Sequence, residues 1–296
     1  MWKFFLPSRG RMALQFFQFL FNGAVYGGLL ALPTIGFSLL YKVLRFPNFA
    51  FGTYLTCGAY TALVFNVELG QSILVALIAA MVVTAGVGVA IDQMTFRKLR
   101  NQRALAVAIV SIGVVFILEN IARFIWGGGL HYYRIPVHRD VQFLGIHMGK
   151  PQMAIFATAL AFMMLVQLLL KRTRLGKAMR ALADNSTLAE IKGIHTERMI
   201  MITTAIGGGL SGASGVFLGI DTVIEPMMGF SIILSIFAGA ILGGIGNASG
   251  AMMGAMAIGL AEEISLVALP PTYKSAVGLT IIILILILRP SGFTKR

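Results

Sequence analysis

Apolar residues run along this chain in long stretches separated by short polar segments. They show neither the strict alternation of a half-buried strand nor the narrow stripe of a soluble amphipathic helix. Nine stretches stand out, at 14–40, 46–66, 72–94, 104–124, 152–170, 199–220, 230–246, 251–268 and 275–288. Most approach the ~20 residues with which a helix crosses a hydrocarbon core. Backbone polar groups find no water in that core, so segments of this kind must be helical. The pattern predicts an all-α polytopic membrane protein with about 8–10 transmembrane segments. Pro47 and Gly52 interrupt the start of the second stretch, which is therefore the candidate for a broken or re-entrant segment.

Composition excludes a soluble domain: 57% of the 296 residues are apolar, 12% are charged, and the mean hydropathy is +0.86. Soluble domains carry about a quarter charged residues. The longest polar segments, 125–151 and 171–198, are too short for a separate catalytic domain. The chain 1–296 reads as a single transmembrane domain. Lys3, Arg9 and Arg11 precede an apolar run too long for a signal peptide, so the first helix is expected to be retained. The single cysteine, Cys57, permits no internal disulfide.

The net charge of +13 would suggest nucleic acid in a soluble protein, but the cations lie between the apolar stretches, where they set orientation. No nucleic-acid partner is expected. Two threadings satisfy the preference for cytosolic cations. One keeps both termini inside and lets 46–66 re-enter; the other starts outside and crosses with all nine stretches, gaining Lys42 and Arg45 as cytosolic residues. Both place 97–103, 171–198 and the C-terminus in the cytosol and 125–151 outside.

A faint internal echo relates Pro47, Asn48, Phe49, Ala50, Phe51 and Gly52 to Pro226, Met227, Met228, Gly229 and Phe230, each block following a glycine-bearing helix. Transporters are often built from such repeats, with broken helices in matching positions.

Motifs of covalent chemistry are missing. Gly207, Gly209 and Gly212 spell G-x-G-x-x-G inside an apolar helix with no strand before it, which fits close helix packing better than a dinucleotide site. There is no phosphate-binding G-x-x-x-x-G-K-[ST], no G-x-S-x-G and no H-E-x-x-H. His131, His138 and His147 share a loop at spacings that suit no compact metal motif, so neither metal nor cofactor is expected.

Acidic residues in or beside apolar runs carry more weight. Glu119 precedes Arg123 by four residues and is expected to pair with it. Asp221 and Glu225 flank a helix end. Glu262 and Glu263 are adjacent in an apolar run, so at least one of them faces protein or a water-filled path.

In 171–198, Ala178, Met179, Leu182 and Ala183, then Leu188, Ile191 and Ile194, recur at helical spacing, with a break at Asp184 to Thr187 and an end at Gly193. Two short amphipathic helices follow, suited either to a membrane surface or to a cytosolic partner.

Five separated blocks resemble the membrane permeases of ABC importers for branched-chain amino acids: NGAVYGGLLALPTIGFSLLYKVLRFPNFAFGTYLTCGAY, TRLGKAMRALADNSTLAEIKGIHTERM, GGGLSGASGVFLG, AGAILGGIGNASGAMMGA and the terminal RPSG. By that resemblance Ala189, Glu190 and Gly193 match the coupling motif that enters a cleft of the ATP-binding subunit. Leu188, Ile191 and Ile194 would form its apolar face, with Arg180, Lys192 and Arg198 at the rim. Asn48, Phe49 and Gly52 match the broken-helix block and, with Phe51, Glu262 and Glu263, are the expected translocation path. Phe51 stands where the family usually has histidine, and Ser249 where it usually has proline.

The resemblance implies a bacterial inner-membrane permease, not itself an enzyme, that imports small amino acids by alternating access. It implies as partners two ATP-binding subunits that hydrolyse ATP, a second homologous permease, an extracytoplasmic substrate-binding protein and the lipid bilayer. Alternatives are a permease for urea, short amides or small carboxylates, or an ion-coupled transporter using Glu262 or Glu263.

Overall fold

The computed structural model describes residues 9–100, 102–135, 141–143 and 146–288. Each of the nine apolar stretches carries a helix. In chain order these are α1 (Arg9–Leu44), α2 (Ala50–Leu63) with a π turn over Val64–Glu68, and α3 (Ile73–Ile91) with a π turn over Asp92–Phe96 and the single turn α4 (Arg97–Leu99). Then follow α5 (Ala104–Trp126), α6 (Lys150–Arg172), α7 (Arg174–Asp184), α8 (Ser186–Ile191), α9 (Thr196–Asp221), α10 (Met228–Ser231), α11 (Ile233–Gly243), α12 (Ala248–Ser265) and α13 (Lys274–Leu288). The strands among the described residues form one small hairpin, β1 (Val141–Phe143) against β2 (Ile146–Met148), within the polar segment 125–151. The hairpin departs from the all-α expectation without changing the architecture.

Among the described residues, five helices are long and apolar enough to cross a membrane: 15–44, 73–99, 104–126, 150–172 and 196–221. The first and last form the buried centre. The other three turn apolar side chains outward, among them Leu74, Ile78 and Val82 of α3, Phe116 and Phe124 of α5, and Met164 and Leu168 of α6. Outward apolar faces of this extent fit a hydrocarbon environment.

The contacts between helices follow a pattern in keeping with the echo in the sequence. α1, α2, α3 and α5 correspond to α9, α10–α11, α12 and α13. α1 packs on α12 as α9 packs on α3, α2 packs on α9 as α11 packs on α1, and α1 and α9 meet each other at the centre. Glycines sit at these crossings in facing pairs: Gly36 with Gly207, Gly58 with Gly212, Gly52 with Gly229 and Gly27 with Gly259. A Cβ on Gly58 would run into the backbone of Gly212. Small residues let membrane helices approach closely enough for dispersion to hold them, since lipid offers no hydrophobic driving force between helices.

Lys42 Nζ lies 2.9 Å from Asp184 Oδ1, so the C-terminal end of α1 sits beside the basic segment 171–198. The far end of α2 lies beside the loop that carries the hairpin, where Asn66 Oδ1 accepts a hydrogen bond from Arg134 N at 2.8 Å. α1 therefore starts at the hairpin end and finishes at the basic end.

Candidate functional site

The chain bends between α1 and α2. Arg45 adopts φ +58°, a left-handed conformation unusual for a residue with a side chain. Pro47 follows, and the helix restarts only at Ala50. The free amides of that restart are met internally: Asn48 Oδ1 accepts from Ala50 N at 3.1 Å, and Phe49 N donates to Ser111 Oγ at 3.0 Å. The interruption expected at Pro47 is thus a built feature, whereas Gly52, expected to share in it, lies inside α2.

Around it lies an aromatic cluster. Phe37 stacks on Phe237 with centroids 4.4 Å apart, Phe49 meets Phe237 at 5.2 Å, and Phe51 meets Tyr54 at 5.5 Å. Phe51 is fully buried, its ring tip seated on the Gly36–Gly207 crossing. At Gly52 the two broken-helix blocks meet: Gly229 is in backbone contact with it and donates its N–H to Thr56 Oγ1 at 3.1 Å. Asn48, Phe49, Phe51 and Gly52 are thus brought together. Phe37, Ser111 and Phe237 belong to the same cluster and carried no sequence signal of their own.

Glu262 and Glu263 lie elsewhere, among α1, α11, α12 and α13. Glu262 is 1% exposed and accepts from Ser235 Oγ at 2.6 Å. Glu263 pairs with Lys274, whose ammonium also lies 3.6 Å from the centroid of the Tyr26 ring. Glu119 corrects the sequence reading. It is buried, its Oε1 has no partner among the described residues, and no ion pair with Arg123 forms. Asp221, at the end of α9, accepts from Gln152 Nε2 at 3.2 Å.

At the basic end, the two short helices appear where the spacing placed them. Thr173 caps α7, whose Gly176, Met179 and Leu182 face inward. Asn185 Oδ1 caps α8 by accepting from Leu188 N at 3.0 Å, and Gly193, at φ +82°, ends it. Ala189 is 3% exposed and anchors α8, while Leu188 and Ile191 are 53% and 75% exposed on one outward face. Ile194 is half-buried. Glu190 Oε1 accepts from Thr196 Oγ1 at 2.5 Å, tying α8 to the first residue of α9. Arg180 is not the rim residue expected, because its guanidinium folds back to donate to the Leu170 carbonyl.

Of the three outer-loop histidines, only the His131 side chain lies among the described residues. His131 bonds to the Trp126 carbonyl at 3.1 Å and bridges backbone to backbone with Ile224. His138 lies outside the described residues, as does the side chain of His147. Nearby, Tyr133 donates to the Ala59 carbonyl at 3.0 Å, and burial raises the pKa of its phenol. Among the described residues no group of three metal-binding side chains occurs. Gly207, Gly209 and Gly212 of the glycine motif are occupied with packing against α1, α2 and α3.

Known proteins resemble this chain along nearly its whole length. Residues 19–286 match the family described as "Branched-chain amino acid transport system / permease component". The high-affinity branched-chain amino acid transport system permease protein LivH of Escherichia coli K12 is 29% identical over 307 residues, covering 96% of each chain. BraD of Pseudomonas aeruginosa, named for the same transport system, is 30% identical over 298 residues, covering 95% of this chain and 96% of its own. Among solved structures, PsaBC from Streptococcus pneumoniae in complex with Fab aligns with a TM-score of 0.53 at 11% identity, covering 95% of both chains, a likeness of fold.

Proposed function

The chain belongs to the family of permease components of branched-chain amino acid transport systems, and from that premise we propose that it carries branched-chain or related small hydrophobic amino acids across the membrane as the permease subunit of an ABC importer. It is a multi-pass membrane protein, read here as one permease domain in a bacterial inner membrane. The basic end is assigned to the cytosol and the hairpin end to the outside, in keeping with the cation bias of cytosolic loops. ATP hydrolysis is assigned to two partner subunits, delivery of substrate to an outer binding protein, and the other half of the pathway to a second, homologous permease.

The observation that carries the mechanism is α8. Leu188 and Ile191 stand exposed at the basic end on a helix that is capped at its start, stopped by Gly193 and anchored beneath by Ala189. Two bare apolar side chains on a firmly held short helix suit insertion into a groove of a partner. Closure of ATP-binding subunits around ATP would push α8, and the push reaches α9 through Glu190 and Thr196. α9 crosses α1 and α2 at glycines, so its movement reaches the bend at Arg45 to Phe49 and opens the path alternately to each side. The path is proposed along Asn48, Phe49, Phe51 and Gly52, where an amphipathic ligand would meet aromatic rings and the amides of an interrupted helix. Glu262 and Glu263, engaged by Ser235 and Lys274, are proposed at its margin.

Purification of the tagged protein in mild detergent tests this. The wild type is expected to bring ATP-binding subunits with it, and the double variant Leu188→Glu, Ile191→Glu to insert normally and lose them. Retention of those subunits by the double variant would contradict the docking role of α8.

A further inference from the structure

A second polar link leaves the foot of α9. Asp92, at the lower end of α3, is 1% exposed, a placement that is unfavourable for a carboxylate unless a partner is held close. Arg100 is that partner and divides itself between two acids: Nη2 donates to Asp92 Oδ2 at 2.6 Å, and Nη1 donates to Glu197 in the first turn of α9. Arg97 Nε adds a contact of 3.2 Å to Glu197 Oε2. Glu197 follows Thr196, the residue that holds Glu190 of α8. Two sets of polar contacts, one from α8 to Thr196 and one from Glu197 to the foot of α3, are therefore joined through the first turn of α9, where Thr196 and Glu197 are chain neighbours.

Two further features mark the parts so joined. The backbone between α3 and α4 is wound as a π turn, Asp92–Phe96, a form that often sits at functional positions in helices. α3 meets α9 at Gly208, Gly209 and Gly212, which face the carbonyls of Thr84, Met81 and Ala80, so the two backbones approach closely. Asp92 Oδ1 and Arg100 Nε have no partner among the described residues, so the network keeps capacity for a rearranged set of bonds.

We propose that Arg100 is a positioning residue of the transport cycle, clamping α3 to α9 so that a displacement of α8 moves both helices as one block. It touches no substrate and acts only through Asp92 and Glu197. The proposal rests on the reading of α8 as the docking element.

The test uses the whole importer in proteoliposomes, with leucine uptake and ATP hydrolysis followed together and thermal unfolding recorded alongside. For Arg100→Gln, leucine moved per ATP hydrolysed is expected to fall about 10-fold while basal hydrolysis stays within about twofold, a change in the range of ordinary allosteric coupling. Arg100→Lys keeps a cation beside Asp92 without the forked reach and is expected to fall between Arg100→Gln and wild type. The double variant Asp92→Asn, Arg100→Gln leaves no buried charge unpaired and is expected to stay folded but uncoupled. An unchanged ratio in folded Arg100→Gln, or in the double variant, would overturn the proposal. If neither folds, a wild-type ratio in Arg100→Lys overturns it. A wild-type preparation that carries no ATP-binding subunits would overturn the docking role of α8 and this proposal with it, whereas normal wild-type coupling beside unchanged variants overturns this proposal alone.

Discussion

Phe51 is a packing residue at a position proposed to lie on the path. The family pattern usually has histidine there, and the sequence alone suggested a polar group lost from a pathway. In the structure its ring rests where Gly36 and Gly207 leave room, edge-on to Phe37 at 6.1 Å and to Tyr54. Phe51→Ala would leave a cavity at the central crossing, and a loss of about 3–5 kcal/mol is expected for a buried aromatic truncated in this way. Thermal unfolding in detergent would show it, and an unchanged midpoint would mean that the ring is not packed as described. The glycine crossings give the opposite test. Gly58→Val would press a branched side chain into the Gly212 backbone, and overpacking of this kind costs about 1–3 kcal/mol. A folded variant of wild-type stability would show that α2 and α9 stand further apart.

At the scale of elements, hydropathy marked every helix that contains an apolar stretch, because in lipid an apolar run has few alternatives to a helix. The break before α2 was legible in Pro47, and the ends of α7 and α8 in Asp184 to Thr187 and Gly193, since these are local signals of chain geometry. What pairs with what was not legible. Gly36 and Gly207 meet because two helices cross there, and Arg100 bonds to Glu197 across 97 positions. Glu119 and Arg123 had favourable spacing, yet burial within the bundle, not the i, i+4 rule, decides where that carboxylate lies. The bend itself makes a prediction. Asn48→Ala removes the acceptor for the Ala50 amide, with an expected cost of about 1 kcal/mol and slower uptake without loss of membrane insertion. Uptake at the wild-type rate would place the hinge elsewhere.

Two sets of helices with matching contacts meet where α1 crosses α9 and where Gly52 touches Gly229. Such a joint lets a push at one end reach a broken helix in the interior without unpacking either half. The push is proposed to enter at α8. The most direct test of this is ATP-dependent uptake of labelled leucine by the reconstituted importer, comparing wild type with Glu190→Lys, which breaks the bond to Thr196 while leaving the membrane helices untouched. The account predicts uptake at least about 10-fold lower with normal insertion and continued ATP hydrolysis. Uptake equal to wild type would contradict it.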